Sequence, residues 1–115
     1  MERFDLVVIG AGPGGYVAAL EAARLGMRVA VAEKDALGGT CLNRGCIPTK
    51  TMLHTAQLAE EAAAGGEIGL CTGPVTVDLE KLQQYKNQVT SRLSEGIGQL
   101  FAKQKVTLFK GTACV

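Results

Sequence analysis

The sequence predicts an α/β fold: a parallel βαβ unit, half of a doubly wound domain, followed by a long helix that carries two cysteines. Three observations predict it. A short apolar, β-branched run opens the chain and leads straight into clustered glycines. A second apolar run follows one helical stretch later and ends on an acid. Two further helical stretches with apolar periodicity then precede a last strand-like segment, the alternation that builds a parallel sheet.

Phe4-Asp5-Leu6-Val7-Val8-Ile9 reads as a buried strand, since parallel strands covered on both faces are near-continuous apolar runs. Gly10-Ala11-Gly12-Pro13-Gly14-Gly15 follows, with Gly10, Gly12 and Gly15 in the pattern G-x-G-x-x-G. In that pattern the first glycine permits a tight turn, the second lets backbone approach a pyrophosphate, and the third lets helix and strand pack closely. Tyr16 to Leu25 is a good helix former that stops at Gly26. Arg28 to Ala32 is the second strand, with Glu33 at its end and Lys34 beyond. An acid there accepts from a ribose 2′-OH and repels a 2′-phosphate; the alternative is a solvated strand-end acid. Strand, glycines, helix, strand and acid in this order make a Rossmann-like dinucleotide unit, with the phosphates at the helix N-terminus. The signature alone does not separate FAD from NAD.

Cys41 and Cys46 lie just downstream, five positions apart. The spacing is neither C-x-x-C nor a usual zinc half-site, and no second Cys/His pair follows at ligand spacing. On a regular helix their Cα atoms would be roughly 8.7 Å apart, whereas a disulfide tolerates less than about 7 Å. A bridge therefore needs a distorted stretch, and Gly45 and Pro48 supply local freedom and a break. A bridge over so short a loop stabilises little as a staple, which favours a redox role. The alternative is two buried thiols that never pair.

The whole run Gly38-Gly39-Thr40-Cys41-Leu42-Asn43-Arg44-Gly45-Cys46-Ile47-Pro48-Thr49-Lys50 resembles the redox-active disulfide of the flavoprotein disulfide reductases, the pyridine nucleotide-disulfide oxidoreductases. Its wording is most similar to that of the dihydrolipoyl dehydrogenases among them. The resemblance implies that the first dinucleotide unit holds FAD and that NAD has its own unit outside this chain. It implies that Cys41 exchanges disulfides with a dihydrolipoyl dithiol on a lipoyl carrier protein, and that Cys46 and Lys50 lie against the flavin. Gly39 and Thr40 match positions lining the FAD phosphates and ribitol. Gly10, Gly12, Pro13, Gly14, Gly15, Glu33, Lys34, Gly45, Gly111 and Ala113 complete the expected FAD contacts. Electrons would pass from the dithiol through the disulfide and FAD to NAD⁺. Glutathione- and mercuric-reductase-like enzymes share the frame but more often carry Val-Pro where this chain has Ile47-Pro48, and a non-catalytic flavin-binding piece is the remaining alternative.

The match covers the N-terminal portion of such enzymes and spans essentially the whole chain. The expectation is residues 1–115 as the N-terminal part of an FAD-binding domain, with the NAD and dimerisation domains elsewhere in a homodimeric parent, and with the chain alone inactive. Composition agrees with a cytoplasmic protein without nucleic-acid or membrane partners. The chain is 47% hydrophobic and 20% charged with net charge +1, has no apolar run of bilayer-spanning length, and opens without a signal-peptide plan.

The remaining segments are read by pattern. Residues 40–64 are expected as one helix carrying the dithiol, with His54 a surface or packing residue. A loop with a short extended piece spans Gly65 to Pro74. Asp78 is a plausible N-cap for a helix running to about Lys105, with Leu79, Leu82, Val89, Leu93, Ile97 and Leu100 as its core-facing stripe. Lys105 to Lys110 is the third strand. Cys71 and Cys114 read as ordinary packed or loop thiols.

Overall fold

The computed structural model describes all 115 residues. Its elements run β1 (Leu6–Ile9), α1 (Pro13–Arg24), β2 (Val29–Glu33), α2 (Gly39–Arg44), α3 (Cys46–Ala64), α4 (Leu79–Lys103) and β3 (Thr107–Lys110). The three strands form one parallel sheet in the order β1-β2-β3. Leu6 to Ile9 pair with Val29 to Ala32, and Ala30 to Glu33 pair with Thr107 to Lys110. The expected βαβ unit and third strand are therefore present, each strand starting one or two residues later than the pattern suggested.

Only one face of the sheet is covered. Val29 and Val31 of β2 pack with Ala19 and Ala22 of α1 and with Ile97 and Phe101 of α4, and Leu6 and Val8 join them from β1. Val7 and Ile9 stay more than half exposed on the opposite face, so β1 is a half-buried strand rather than the fully buried one its apolar run suggests. An unbroken apolar run cannot tell one covered face from two.

The long dithiol helix is two helices. α2 ends at Arg44 and α3 begins at Cys46, with Gly45 between them at φ −131°, ψ −103°. Asp78 does cap α4, its Oδ1 accepting from the Lys81 N–H at 3.0 Å. The α4 stripe is buried only toward the sheet. Ile97 and Phe101 are core residues, but Leu79, Leu93 and Leu100 are exposed. At the Leu79 end the physical reason is length: 25 residues make a rod of about 37 Å, longer than a short sheet can cover, so α3 and α4 project together in a molecule 66 × 26 × 20 Å in extent. The expected extended piece after Gly65 is instead a 3₁₀ turn, Gly65–Ile68, without a strand. Lys105 is not in β3 either. It takes a left-handed conformation (φ 58°) in the turn that ends α4, where the Val106 N–H donates to the Phe101 carbonyl. Cys71 and Cys114 are free and exposed, so the loop reading holds for both and the packed one does not.

Candidate functional site

The glycine cluster sits where β1 meets α1. Gly12 is the N-cap of α1 in extended conformation and Pro13 occupies the first turn, where a missing N–H costs nothing. A Cβ on Gly15 would collide with the Gly10 carbonyl, which fixes the close helix–strand approach that the spacing predicts. Gly14 is exposed, with open space where a side chain would stand.

Glu33 faces this loop from the end of β2. Its Oε2 accepts from the Ala11 N–H at 2.7 Å and its Oε1 from the Asp35 N–H at 2.8 Å. The Ala11 bond, with smaller help from the Asp35 and Lys34 backbone and the Lys34 charge, holds the carboxyl below its ordinary range against the opposing effect of burial. Glu33 is thus neither free nor simply solvated; it braces the glycine loop.

Three grooves meet at this acid: one of about 290 Å³ faces α4 and is lined by Asp35, Leu37, Ser94 and Lys110, and the other two border the glycine loop. One, about 300 Å³, is lined by Gly10, Ala32, Glu33, Lys34, Gly111 and Ala113. The other, about 460 Å³ and largely polar, is lined by Gly12, Glu33, Lys34, Gly39, Thr40 and Arg44. Gly111 is tied in by its N–H, which donates to the Glu33 carbonyl at 2.9 Å. A Cβ on Gly39 would lie 2.7 Å from the Gly12 Cα, so the start of α2 and the glycine loop touch backbone to backbone. Glycine at both positions leaves a cradle beside the α1 N-terminus, suited to a diphosphate.

Two residues into α2 stands Cys41, disulfide-bonded to Cys46, with their Cα atoms 4.7 Å apart. The break at Gly45 closes the gap from the helical spacing. A Cβ there would sit 3.2 Å from the Thr40 carbonyl oxygen and 3.3 Å from the Cys41 Cα, tighter than a side chain takes comfortably. Cys41 is half-buried, while Cys46 is exposed and is the first residue of α3.

The chain matches the pyridine nucleotide-disulphide oxidoreductase family over residues 4–115. It belongs to that family. Among curated proteins it is 44% identical over 109 residues to the dihydrolipoyl dehydrogenase of Bacillus subtilis, covering 95% of this chain and 23% of that protein. It is 50% identical over 109 residues to dihydrolipoyl dehydrogenase 3 of Haloarcula marismortui, covering 95% and 23%. The Trypanosoma brucei brucei dihydrolipoyl dehydrogenase is 50% identical over 113 residues, covering 96% and 24%. The chain spans about a quarter of the length of the relatives it matches.

Within this disulphide oxidoreductase chain, the residues singled out by sequence fall into two groups. Gly10, Gly12, Glu33, Lys34, Gly39, Thr40, Gly111 and Ala113 line the two grooves at the glycine loop. Cys41, Gly45 and Cys46 form the adjoining dithiol segment. Pro13, Gly14, Gly15 and Lys50 line neither groove, Lys50 being an exposed side chain one turn after Cys46. His54 is on the surface of α3. Sequence reasoning missed Asp35, whose carboxylate meets the Arg44 guanidinium at 2.8 Å on the rim of the polar groove. It also passed over Asn43 and Ser94, whose side chains hold the turn before α2. Asn43 stands inside the run from Gly38 to Lys50, which was the available signal; Ser94 had none.

Proposed function

We propose that this chain is the FAD-binding, dithiol-bearing part of a dihydrolipoyl dehydrogenase. The observation that carries the reading is the Cys41–Cys46 bond on a helix whose first residue, Gly39, abuts the glycine loop at Gly12. Residues 1–115 are read as the N-terminal part of the FAD-binding domain of a homodimeric cytoplasmic protein. A compartment where thiols stay reduced suits a bond that must open in turnover.

In the proposed reaction one thiolate of a dihydrolipoyl group attacks the Cys41 sulfur, and the Cys41–Cys46 bond breaks with Cys46 leaving as a thiolate. The second substrate thiol, losing its proton to solvent or a base, attacks the substrate sulfur of the mixed disulfide and releases Cys41. The substrate becomes a cyclic disulfide, oxidised by two electrons, and the cysteine pair is reduced by two. Cys46 heads a 19-residue helix, whose N-terminus favours a negative sulfur there. Lys50 adds a positive charge on the next turn. Gly10, Gly12, Gly14 and Gly39 would admit the diphosphate, with Gly15 letting α1 approach β1 closely; Thr40 and Lys34 would bind along it, Glu33 would accept from a ribose hydroxyl, and Gly111 and Ala113 would offer backbone. FAD, when bound, would supply the two-electron acceptor for the cysteine pair, with NAD as the final acceptor at a site outside this chain.

Flavin retention tests this reading. Incubated with FAD and passed through gel filtration, the whole protein that carries this chain should elute with flavin absorbance, and its Gly39→Val variant without it. Equal retention in both, or none in the wild type, would count against the proposed site. Preference among dihydrolipoamide, glutathione and mercuric ion then separates the proposed substrate from those of related reductases.

A further inference from the structure

The helix carrying Cys41 has little to hold it. α2 is six residues long, far below the length at which a helix is stable alone, and neither end has a side-chain cap. Both flanks are glycine, with Gly38 left-handed at φ 97° and Gly45 in the break before α3. Its ion pair, Arg44 with Asp35, is exposed on both sides, and such pairs stabilise little. Leu42 alone is buried. The disulfide would tether α2 to α3, but the proposed function requires that bond to open.

When it does, the burial of Leu42 and the Gly38 N–H donated to the Ala11 carbonyl at 2.8 Å remain, together with one side-chain junction. Asn43 Nδ2 donates to the Leu37 carbonyl at 3.0 Å and to the Gly39 carbonyl at 2.9 Å. The Leu37 carbonyl also accepts from Ser94 Oγ at 2.9 Å, across 57 residues of sequence. The two lone pairs of one half-buried turn are thus occupied by side chains from α2 and α4. Since Ile97 and Phe101 anchor α4 in the core, the junction references the dithiol helix to the most firmly held part of the molecule.

We propose that Asn43 and Ser94 are positioning residues that keep Cys41 in reach of Cys46 while the pair is reduced. This rests on the reading that the Cys41–Cys46 bond opens and closes. Neither side chain touches the reacting sulfurs. Their effect is on the probability that two thiols meet, the effective concentration that sets how readily a dithiol closes. Losing the junction makes the reduced segment roam, so closure becomes less favourable and the dithiol form gains population.

The test equilibrates the full chain in buffers of reduced and oxidised glutathione. Each opening consumes two glutathione thiols and yields the protein dithiol plus one glutathione disulfide. Trapping by alkylation and mass measurement at Cys41 and Cys46 gives the equilibrium constant. Asn43→Ala, which loses two donated bonds, should shift it toward the dithiol by about tenfold, and Ser94→Ala by about threefold in the same direction. Ser94→Thr, which retains the hydroxyl, should return it close to wild type. Alanine is the better helix former, so helix propensity works against the expected direction in Asn43→Ala and cannot mimic it. A purely structural role would lower the melting temperature of both redox forms equally and leave the constant unmoved. That result in Ser94→Ala and Asn43→Ala overturns the inference while leaving the functional reading intact. A wild-type bond that resists even dithiothreitol overturns both.

Discussion

At Glu33, two backbone N–H groups converge on one carboxylate, and the consequences can be measured residue by residue. The Ala11 bond ties β2 to the glycine loop 22 positions earlier in the chain. A hydrogen bond to a charged acceptor is worth about 1.5–3 kcal/mol, so Glu33→Gln, which can still accept but carries no charge, should weaken flavin retention and lower stability within that range. Calorimetry of the cofactor-free protein separates the two effects, since a pure ligand contact would leave its melting point unchanged. The acidity has a sign as well. A carboxyl held below its ordinary range when folded adds stability above its unfolded pKa, and loses it as pH falls through the folded value. Wild-type stability should therefore fall on acidification below the ordinary glutamate range by more than that of Glu33→Gln. Matching pH profiles would show that the brace contributes nothing. The spacing made Glu33 legible as a site acid, because a short pattern encodes it. Its bond to Ala11 was not legible, because that depends on how β1 and β2 register in space.

The dithiol segment shows what short-range pattern can and cannot specify at the level of elements. Two cysteines five apart on an ideal helix cannot bridge, and Gly45 and Pro48 marked where the helix must give. The structure breaks it at Gly45 and brings the Cα atoms to 4.7 Å. Gly45→Val should therefore hinder closure through crowding at Thr40 and Cys41, leaving more free thiol at Cys41 and Cys46 by alkylation mass spectrometry; full oxidation as in wild type would show the break tolerates a side chain. In α4 the stripe Leu79 to Leu100 was legible as apolar periodicity, but its burial was not, since periodicity carries no information about how far the sheet extends. Phe101, absent from that stripe, is 2% exposed and central to the core. Phe101→Ala should cost about 3–5 kcal/mol in urea unfolding, and Leu79→Ala far less. Equal costs would mean the core is misplaced.

Taken as a whole molecule, the chain is a one-faced parallel sheet with a projecting helical pair. Thr49, Met52, Leu53, Ala56, Val77, Leu79 and Leu82 line an almost wholly apolar groove of about 500 Å³ between α3 and α4, where Leu53 is 62% and Leu79 68% exposed. Apolar surface of this kind binds hydrophobic dyes. Anilinonaphthalene sulfonate fluorescence should rise with the wild-type chain and fall when Leu53 and Leu79 are both replaced by glutamine. No helix is long and apolar enough to cross a membrane.

In the proposed reaction a substrate dithiol exchanges with the Cys41–Cys46 bond near the grooves at Glu33. The direct measurement is anaerobic treatment with dihydrolipoamide, followed by alkylation and peptide mass spectrometry. Cys71 and Cys114 are free and exposed, so they should be labelled with or without substrate and serve as the internal control. Cys41 and Cys46 should gain one label each only after dihydrolipoamide. Labelling confined to Cys71 and Cys114 under both conditions would contradict it.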